Sequence, residues 1–454
     1  MFQRFYDEGL AQASFLVGCD RTKQAAVIDP RRDASIYVEA ARQAGLTIAA
    51  AVETHVHADF VSGARELASI GARVFAGPGA GLAFDHHEVR DGETLALGDL
   101  TLTFLHTPGH TFEHVAVAAG GPGQSPRVFT GDLLFVGGVG RPDLVGEAQT
   151  RALAADLFAS LQRVMRMDPD VEVHPGHGAG SLCGAGIGSE PSSTIGRESA
   201  QNPMLRYTDR EAFVAAVLAD LPGRPAYFAR MKRVNQEGPE LLGLAAGPRR
   251  LPAIRPAAAA ALAADGAILI DLRQADAFAA GHPDGAVNLG SGSKIGYWSG
   301  WVLPPDTPLL LIGGDAAQAQ DAAVQLLRVG FDRIEGVVDG GFDAWAAAGL
   351  PSAAIAQMAA DDLRSGARRT LVLDVRSARE WQSAHVPGSI NIPVGELPDR
   401  MEELPSGAAI ATICEGGYRS SLAASLLARE GLTGVVNVTG GMAAYRALPE
   451  AARP

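Results

Sequence analysis

Histidines and carboxylates recur in the first part of this chain, in short motifs bounded by glycine or proline. Nine of the eleven histidines precede residue 178, and most lie in THVHAD at 54–59, TPGH at 107–110 and HPGH at 174–177, with TGD at 130–132 between the last two. Imidazoles and carboxylates from several loops are what a transition-metal centre requires. An apolar run at 48–52 predicts a buried strand before the first motif. Because alternate residues of an extended chain point to the same side, His55 and His57 are presented together, and the pattern predicts a metalloprotein.

Length and composition restrict the classes of protein to which the chain can belong. With 454 residues, of which 47% are apolar and 20% charged, we expect about two to four globular domains. The net charge of −13 and the presence of only three lysines argue against nucleic acid or an anionic membrane as a partner. No apolar stretch of about 18 residues and no evident leader are present, and Cys19, Cys183 and Cys414 do not make a disulfide framework. A cytoplasmic location is expected.

Strand and helix signals divide the chain into domains. Apolar segments at 25–28, 48–52, 100–105, 115–117 and 128–130 predict strands of a metal domain at residues 1–245. A helix is predicted from Thr208, which forms a capping-box pattern with Glu211. Beyond a linker rich in proline and glycine at 239–256 the sequence repeats, since DLR at 271–273 with Asn288 matches DVR at 374–376 with Asn391, 103 residues later. The repeat predicts two α/β modules, at 250–352 and 355–454.

A loop in the second module has the features of a sulfur-binding site. An apolar strand at 409–413 runs into Cys414, which is followed at the start of a helix by Glu415, Gly416, Gly417, Tyr418, Arg419 and Ser420. Backbone N–H groups in such a turn, the helix N-terminus and the charge of Arg419 favour a thiolate and lower its pKa. We therefore predict Cys414 and Arg419 as catalytic residues, against the alternative of a buried structural cysteine.

The first module lacks these reactive groups. Its strand at 309–312 leads into Gly313, Gly314 and Asp315, so that Gly313 takes the position of Cys414 and Gln318 that of Arg419. Glycine cannot carry sulfur, and Asp315 would repel an anionic one. We predict that the first module is a structural or docking copy without chemistry of its own.

Both regions resemble known families. The C-terminal modules resemble rhodaneses through Cys414-x-x-Gly417-x-Arg419, Asp374-x-Arg376 and His385-x-x-Gly388. The N-terminal part resembles the metallo-β-lactamase superfamily, and within it persulfide dioxygenases most closely, through the histidine motifs, TPGHT at 107–111, GRPDL at 140–144 and GHGAGSLCG at 176–184. The resemblance implies an α/β chain in which an αββα sandwich is followed by a degenerate and an active rhodanese-like domain, as in a persulfide dioxygenase–rhodanese fusion.

The resemblance also implies a ligand set. The dioxygenases hold one Fe(II) with two histidines and one carboxylate, which correspond here to His55, His110 and Asp132 and leave positions for substrate and oxygen. His57, Asp59 and His177 would then orient ligands or substrate. Hydrolases of the superfamily read His-x-His-x-Asp-His and hold two metals. Here Phe60 replaces the last histidine and removes a ligand of the second site.

Two further residues are candidates near the metal. Arg141 follows the Asp132 strand and is predicted to bind a substrate carboxylate, unless it is an ordinary surface arginine. Cys183 lies six residues after His177, where a thiol that receives persulfide and a small apolar filler are equally compatible with the sequence.

The expected activity is oxidation of a low-molecular-weight persulfide, carried by glutathione or another thiol, with O2 to give sulfite. Sulfur transfer through Cys414 would follow and form thiosulfate or, in the reverse direction, consume it. Two alternatives stay open: a zinc-dependent glyoxalase II-like thioester hydrolase with a sulfurtransferase tail, and a non-catalytic sulfur carrier. A homo-oligomer is expected.

Overall fold

The computed structural model describes residues 1–219, 221, 223–366, 370–405 and 407–449. Two compact units are present: the first contains residues 1–249 with 327–330, and the second contains 250–326 with 331–454. Among the described residues, no helix has the length and apolarity needed to cross a membrane.

The first unit contains two six-stranded sheets and a small third one. In spatial order the first sheet contains Phe2–Asp7, Gln12–Cys19, Gln24–Ile28, Thr47–Val52, Arg73–Ala76 and His87–Glu88. The second contains Ser193–Thr194, Glu172–Pro175, Arg127–Gly131, Val115–Gly120, Leu100–His106 and Thr94–Leu97. The small sheet contains Leu134–Phe135, Gly138–Gly140 and Gly184–Ala185. The helices are Ser35–Gln43, Ala64–Ala68, Glu147–Val164, Ile195–Gln201, Arg210–Ala219 and Tyr227–Glu237, with a 3-10 turn at Pro203–Arg206.

The burial of the strands explains why these sheets stack in layers. Every residue of Gln12–Cys19 is buried, as expected for a strand covered on both faces. Phe15 and Val17 pack with Phe104 and Phe129 of the second sheet. Leu16 points to the opposite face, which the helices Ser35–Gln43 and Ala64–Ala68 cover, and Glu147–Val164 and Arg210–Ala219 cover the outer face of the second sheet. The unit is an αββα sandwich, as the sequence predicted.

One local prediction in this unit is wrong. The helix expected from Thr208 begins at Arg210, and its first turn is capped by Asp209, whose Oδ1 accepts the N–H of Ala212 at 2.8 Å. Glu211 pairs with Arg151 instead of closing a capping box. Aspartate is as good an N-cap as threonine, so the neighbouring residue took that position.

The second unit contains two parallel five-stranded sheets of identical strand order. The first module has Ala253–Ile254, Ile334–Val338, Leu309–Ile312, Ile268–Asp271 and Val287–Asn288 in spatial order. The second has Ala356–Met358, Val435–Val438, Ile410–Ile413, Leu371–Asp374 and Ile390–Asn391. A short antiparallel pair joins His282–Pro283 to Ser352–Ala353. The internal repeat in the sequence is therefore a repeat of the fold.

Helices cover both sheets of the second unit. Those of the first module are Pro256–Ala264, Ala275–Ala280, Ile295–Val302, Ala316–Arg328 and Gly341–Ala347. Those of the second are Ala360–Ser365, Ala378–Ser383, Leu397–Arg400, Tyr418–Arg429 and Gly441–Ala447, with a 3-10 turn at Met401–Glu403.

Candidate metal centre and sulfur loop

Three strand ends of the first unit bring His55, His110 and Asp132 together. His55 follows Thr47–Val52, His110 follows Leu100–His106, and Asp132 follows Arg127–Gly131. All three are buried, and the ligand atoms lie within 4.8 Å of one another. Asp132 Oδ2 is 3.4 Å from His110 Nε2 and 3.9 Å from His55 Nε2. These residues are the ones that the resemblance implied as ligands.

The hydrogen bonds around the two imidazoles leave one lone pair of each directed at this point. Thr54 donates its O–H to Asp29 at 2.9 Å, so its oxygen accepts the Nδ1–H of His55 at 3.0 Å. The Nδ1–H of His110 donates to the carbonyl of Arg141 at 2.9 Å. Both Nε2 atoms must then be unprotonated.

The three facing atoms fit a cation. Among the described residues, His55 Nε2, His110 Nε2 and Asp132 Oδ2 are buried without a hydrogen-bond partner. Leaving buried polar atoms unsatisfied is costly, and a metal ion is the group that would satisfy two nitrogen lone pairs and a carboxylate oxygen together. We therefore assign this cluster as the candidate metal centre.

The electrostatics match that assignment. Burial lowers the pKa of His55 well below its ordinary value, with neighbouring histidines adding to the effect, and burial also lowers the pKa of His110. Burial alone would raise the pKa of Asp132, but the charge of His177 and its hydrogen bond outweigh it, so the pKa is lowered. Neutral imidazoles and an ionised carboxylate are the ligand forms that bind metal.

His57 lies beside the cluster with its ring 4.2 Å from that of His55. Its Nε2 is 3.2 Å from both Asp29 and Glu53, which is the carboxylate support typical of a histidine next to a metal. Its Nδ1 is buried and, among the described residues, has no hydrogen-bond partner. Burial opposes a charge on the ring, but Asp29 and Glu53 outweigh it and raise the pKa of His57 well above its ordinary value, which favours a protonated ring.

His177 forms ion pairs with two carboxylates beside the candidate metal centre. His177 Nδ1 lies 2.7 Å from Asp132 Oδ1, and its Nε2 lies 2.8 Å from Asp59 Oδ2. Carboxylates only accept hydrogen bonds, so both nitrogens carry protons. Burial opposes that charge, but Asp132 and Asp59 outweigh it and raise the pKa of His177 to about 10. Phe60 is buried and packs on His57, 4.3 Å between ring centroids.

Cys183 belongs to the same cluster as Asp59 and His177, with ligand atoms within 4.8 Å of one another. Burial raises the pKa of its thiol well above the ordinary value, and the charges of Asp59 and Asp132 raise it further. The structure therefore places a neutral thiol beside the metal centre.

Arg141 is committed to contacts inside the protein. It donates to Asp143 Oδ1 and Oδ2 at 2.6 and 2.8 Å and to the carbonyl of Leu182 at 2.8 Å, and it is 1% exposed. Its own carbonyl accepts the proton of His110. The guanidinium therefore braces the loop that orients His110, and its contact with a substrate carboxylate stays a prediction.

Several residues that support the centre have no sequence signal. Asn235, on the helix Tyr227–Glu237, donates to the carbonyls of His57 and Phe60, both at 2.8 Å, and accepts the N–H of Ser62 at 2.9 Å. Asn235 lies 178 positions from His57 in the chain, so the spacing of residues in the sequence does not predict their contact. His114 Nε2 accepts the N–H of Asp132 at 3.2 Å. Burial and the neighbouring His110 lower the pKa of His114 to about 3, so it serves as an acceptor.

The loop of the second module encloses a buried cysteine. Cys414 is 1% exposed, and its Sγ accepts the N–H of Gly417 at 3.1 Å. Gly417 precedes the helix Tyr418–Arg429 with φ of 106°, a conformation that side chains disfavour. Ser420 Oγ donates to the Gly417 carbonyl at 3.1 Å. The helix N-terminus is therefore directed toward the sulfur, as predicted.

Charged groups surround the mouth of this loop. Arg419 donates to both carboxylate oxygens of Glu380, at 2.8 and 2.7 Å. Burial opposes the charge of Arg419, but Glu380 and Cys414 outweigh it and raise its pKa. Glu415 pairs with Arg446 and lies 3.5 Å from Arg376.

In the corresponding loop of the first module, side chains of the loop accept hydrogen bonds from its own backbone N–H groups. The N–H of Asp315 donates to Gln318 Oε1 at 2.9 Å, and the N–H of Gln318 donates to Asp315 Oδ1 at 2.8 Å. Gly313 and Gly314 both have positive φ, 78° and 75°. The helix N-terminus that faces Cys414 in the second module is satisfied here by its own side chains.

Comparison with known proteins adds the family. A model of the metallo-beta-lactamase superfamily matches residues 7–177, and a rhodanese-like domain model matches residues 256–348 and 356–448. The hydroxyacylglutathione hydrolase of Gloeobacter violaceus is 31% identical over 237 residues, which cover 44% of this chain and 87% of that protein. The enzyme of the same name from Tolumonas auensis is 35% identical over 159 residues, 34% of this chain and only 57% of its own length.

Two solved structures are also similar. The metallo-beta-lactamase from Staphylococcus aureus subsp. aureus COL is 34% identical with a TM-score of 0.65, and the match covers 74% of this chain and 98% of that one. ETHE1 from Myxococcus xanthus is 29% identical with a TM-score of 0.46, covering 52% and 98%. The first match extends beyond the metal domain and has the fold in common with this chain. The chain therefore belongs to the metallo-beta-lactamase superfamily and carries two rhodanese-like domains after its metal domain.

Proposed function

We propose that this chain oxidises a low-molecular-weight persulfide with O2 at one Fe(II) and passes sulfane sulfur through Cys414. The observation that carries the proposal is the set of three buried, unpartnered ligand atoms on His55, His110 and Asp132. Two nitrogens and one carboxylate oxygen suit Fe(II) with positions left for substrate and oxygen. A second rationale is that Phe60 stands where the hydrolases have a second-site histidine, and that both ring nitrogens of His177 are paired with carboxylates.

The residues around the centre would hold a defined geometry. Arg141 and Thr54 keep the two imidazoles in the tautomer with a free Nε2. His177 holds Asp132 by one oxygen, so the other oxygen is directed to the metal. Fe(II) bound there would supply redox chemistry and open coordination positions, which the reaction between O2 and a persulfide lacks in solution.

The overall oxidation balances without a further reductant. A persulfide RSSH, O2 and water give the thiol RSH and sulfite with two protons. The terminal sulfur loses the four electrons that O2 gains. Because the site is buried, the access of bulk water to it would be restricted.

The second step belongs to Cys414. A persulfide transfers its terminal sulfur to the Cys414 thiolate and leaves as a thiol, and the protein persulfide then transfers that sulfur to sulfite, forming thiosulfate. The N–H of Gly417 would stabilise negative charge on the sulfur. The same groups serve the reverse direction, from thiosulfate to a thiol.

A zinc-dependent thioester hydrolase is the second candidate, and the similarity to two hydroxyacylglutathione hydrolases favours it. Such an enzyme uses its metals to activate water for attack on a thioester. Against it stand Phe60 at the position of a second-site histidine and the two ion pairs of His177. A sulfur carrier without catalysis is disfavoured by the complete ligand set.

The test is oxygen uptake with the metal quantified in the same purified sample. Glutathione persulfide and coenzyme A persulfide are compared as substrates, in a Cys414→Ser background so that sulfite accumulates. We expect one iron per chain and one sulfite formed for each O2 consumed. Two zinc ions per chain with rapid hydrolysis of a hydroxyacyl thioester of glutathione would contradict the proposal.

A further inference from the structure

The helix that follows Cys414 is held by the first rhodanese-like domain. Tyr418 Oη donates to the carbonyl of Leu289 at 2.8 Å, and Ser421 Oγ donates to Asn288 Oδ1 at 2.7 Å. Ser425 Oγ accepts the N–H of Asn288 at 3.0 Å. The three helix residues are three and four positions apart, so they lie on one face of the helix. That face is turned to the end of the strand Val287–Asn288.

Asn288 is itself fixed in orientation. Its Nδ2 donates to the carbonyls of Asp271 and Arg273, at 3.3 and 2.9 Å, and the residue is 4% exposed. Because the amide nitrogen faces two acceptors, the amide oxygen must face Ser421. The first domain therefore fixes the direction of the amide oxygen that accepts the hydrogen bond from Ser421.

The equivalent asparagine of the second domain separates the two roles of this side chain. Asn391 Nδ2 donates to the carbonyls of Asp374 and Arg376, both at 2.9 Å. These bonds recur in both domains and belong to the fold of each. The bonds from Ser421 and Tyr418 are additional, because they join one domain to the other.

Tyr418 is the link to the reactive sulfur. It stands between Gly417, whose N–H contacts Cys414 Sγ, and Arg419, which is paired with Glu380. A shift of Tyr418 moves both neighbours. The ring also lies against the first domain, since a Cβ on Gly290 would be 3.5 Å from its Cε2.

We propose that Asn288 and Leu289 are positioning residues that clamp the sulfur loop, so that the first domain sets the geometry of Cys414 without chemistry of its own. The catalytic part of this inference rests on the proposed sulfur transfer by Cys414. It assigns a role to the degenerate domain that its own loop cannot provide.

The test uses the full-length chain with Tyr418→Phe, Ser421→Ala and the double variant. Tyr445→Phe is the matched control, because Tyr445 lies in the same domain with its ring against Arg364. Transfer of sulfur from thiosulfate to cyanide gives kcat and KM. The rate at which iodoacetamide alkylates Cys414, followed by mass spectrometry of its peptide, reports the order of the loop independently of turnover.

Losing one such hydrogen bond should lower kcat about five-fold, and losing both about 20-fold, with KM for thiosulfate changed less than about two-fold. Alkylation of Cys414 should become faster, because the closed loop leaves the residue 1% exposed. A thermal midpoint lowered by no more than about 4 °C would show that the chain remains folded.

The positioning role of Asn288 and Leu289 is refuted if kcat and the alkylation rate of the double variant match those of Tyr445→Phe. It is also refuted if the loss of activity follows the loss of folded protein, with kcat per folded chain unchanged. A wild-type chain that transfers no sulfur would reject the proposed function instead. The alkylation rates would still show whether Asn288 and Leu289 order the sulfur loop.

Discussion

The two rhodanese-like domains share a framework and differ in one loop. Asp271 binds Arg273 at 2.5 Å, and Asp374 binds Arg376 at 2.7 Å in the same position of the second domain. In both domains the aspartate ends the strand that is fourth in spatial order, in parallel sheets of identical strand order. These parts maintain the fold, since they survive in the domain that has no nucleophile.

The loops have diverged in what satisfies the helix N-terminus. In the second domain the N–H of Gly417 faces Cys414 Sγ. In the first domain Asp315 and Gln318 satisfy each other's N–H groups. A negative sulfur can be stabilised only where those N–H groups are left for it. The proposed sulfur chemistry therefore depends on the loop, whereas the framework is common to both domains.

Removing the sulfur atom of Cys414 should have the largest effect on the rate of sulfur transfer. Cys414→Ser should reduce sulfur transfer at least about 1,000-fold, because a hydroxyl neither ionises readily nor forms a persulfide. Oxygen uptake should persist, and the product should change from thiosulfate to sulfite. The measurement is quantification of both anions, with non-enzymatic trapping of sulfite subtracted. Thiosulfate formed at the wild-type rate would mean that Cys414 is not the sulfur carrier.

Breaking the ion pair between Arg419 and Glu380 should have a smaller effect on the rate of sulfur transfer. The hydrogen bond from Arg419 is the main cause that lowers the pKa of Glu380 to about 2. The pair therefore contributes fully above the ordinary carboxyl pKa and is lost only as the pH falls from about 4.5 toward 2. Glu380→Gln should slow sulfur transfer about three-fold at neutral pH, the size expected for a partly exposed ion pair.

The pH dependence provides the check on that prediction. The ratio of the wild-type rate to the Glu380→Gln rate should stay constant between about pH 8 and pH 5, where Glu380 is ionised throughout. Arg400→Gln, a change in an exposed ion-pair network of the same domain, is the matched control. A ratio that falls to one above pH 5 would exclude an ionised Glu380 as the partner of Arg419.

Introducing a cysteine and an arginine into the loop of the first domain should have the smallest effect on the rate of sulfur transfer. Gly313→Cys with Gln318→Arg should give little transfer activity in a Cys414→Ser background. Asp315 would still occupy the helix N-terminus with a negative charge. Adding Asp315→Gly should improve the rate above that of the double replacement. A double replacement that transfers sulfur as well as wild type would show that the loop, as it stands, is not the obstacle.

The candidate metal ligands and the sulfur loop could be recognised in the sequence because each stands at the end of a strand in a short motif. His55, His110, Asp132 and Cys414 all have this local signal. The supporting residues could not, because their contacts are made only by the tertiary fold. Asn235 reaches the His57 loop from 178 residues away, and the contact of Asn288 with Ser421 spans 133.

Two details escaped prediction for local reasons. The helix cap moved from Thr208 to Asp209, since both residue types can accept the first-turn N–H. For Arg141, whose contact with substrate stays a prediction, the sequence alone gave no indication that Asp143, two residues later, would bind its guanidinium. Short-range competition of this kind is decided by geometry that a motif does not contain.

The most direct test of the account is the metal content and oxygen uptake of Asp132→Ala beside the wild-type chain. Asp170→Ala, a change to an exposed aspartate of the same unit, is the control. We expect one iron per wild-type and control chain, with persulfide-dependent oxygen uptake in both. In Asp132→Ala we expect loss of iron and oxygen uptake together, with transfer of sulfur from thiosulfate to cyanide retained. Iron content and oxygen uptake at wild-type levels in Asp132→Ala would contradict the proposed iron centre.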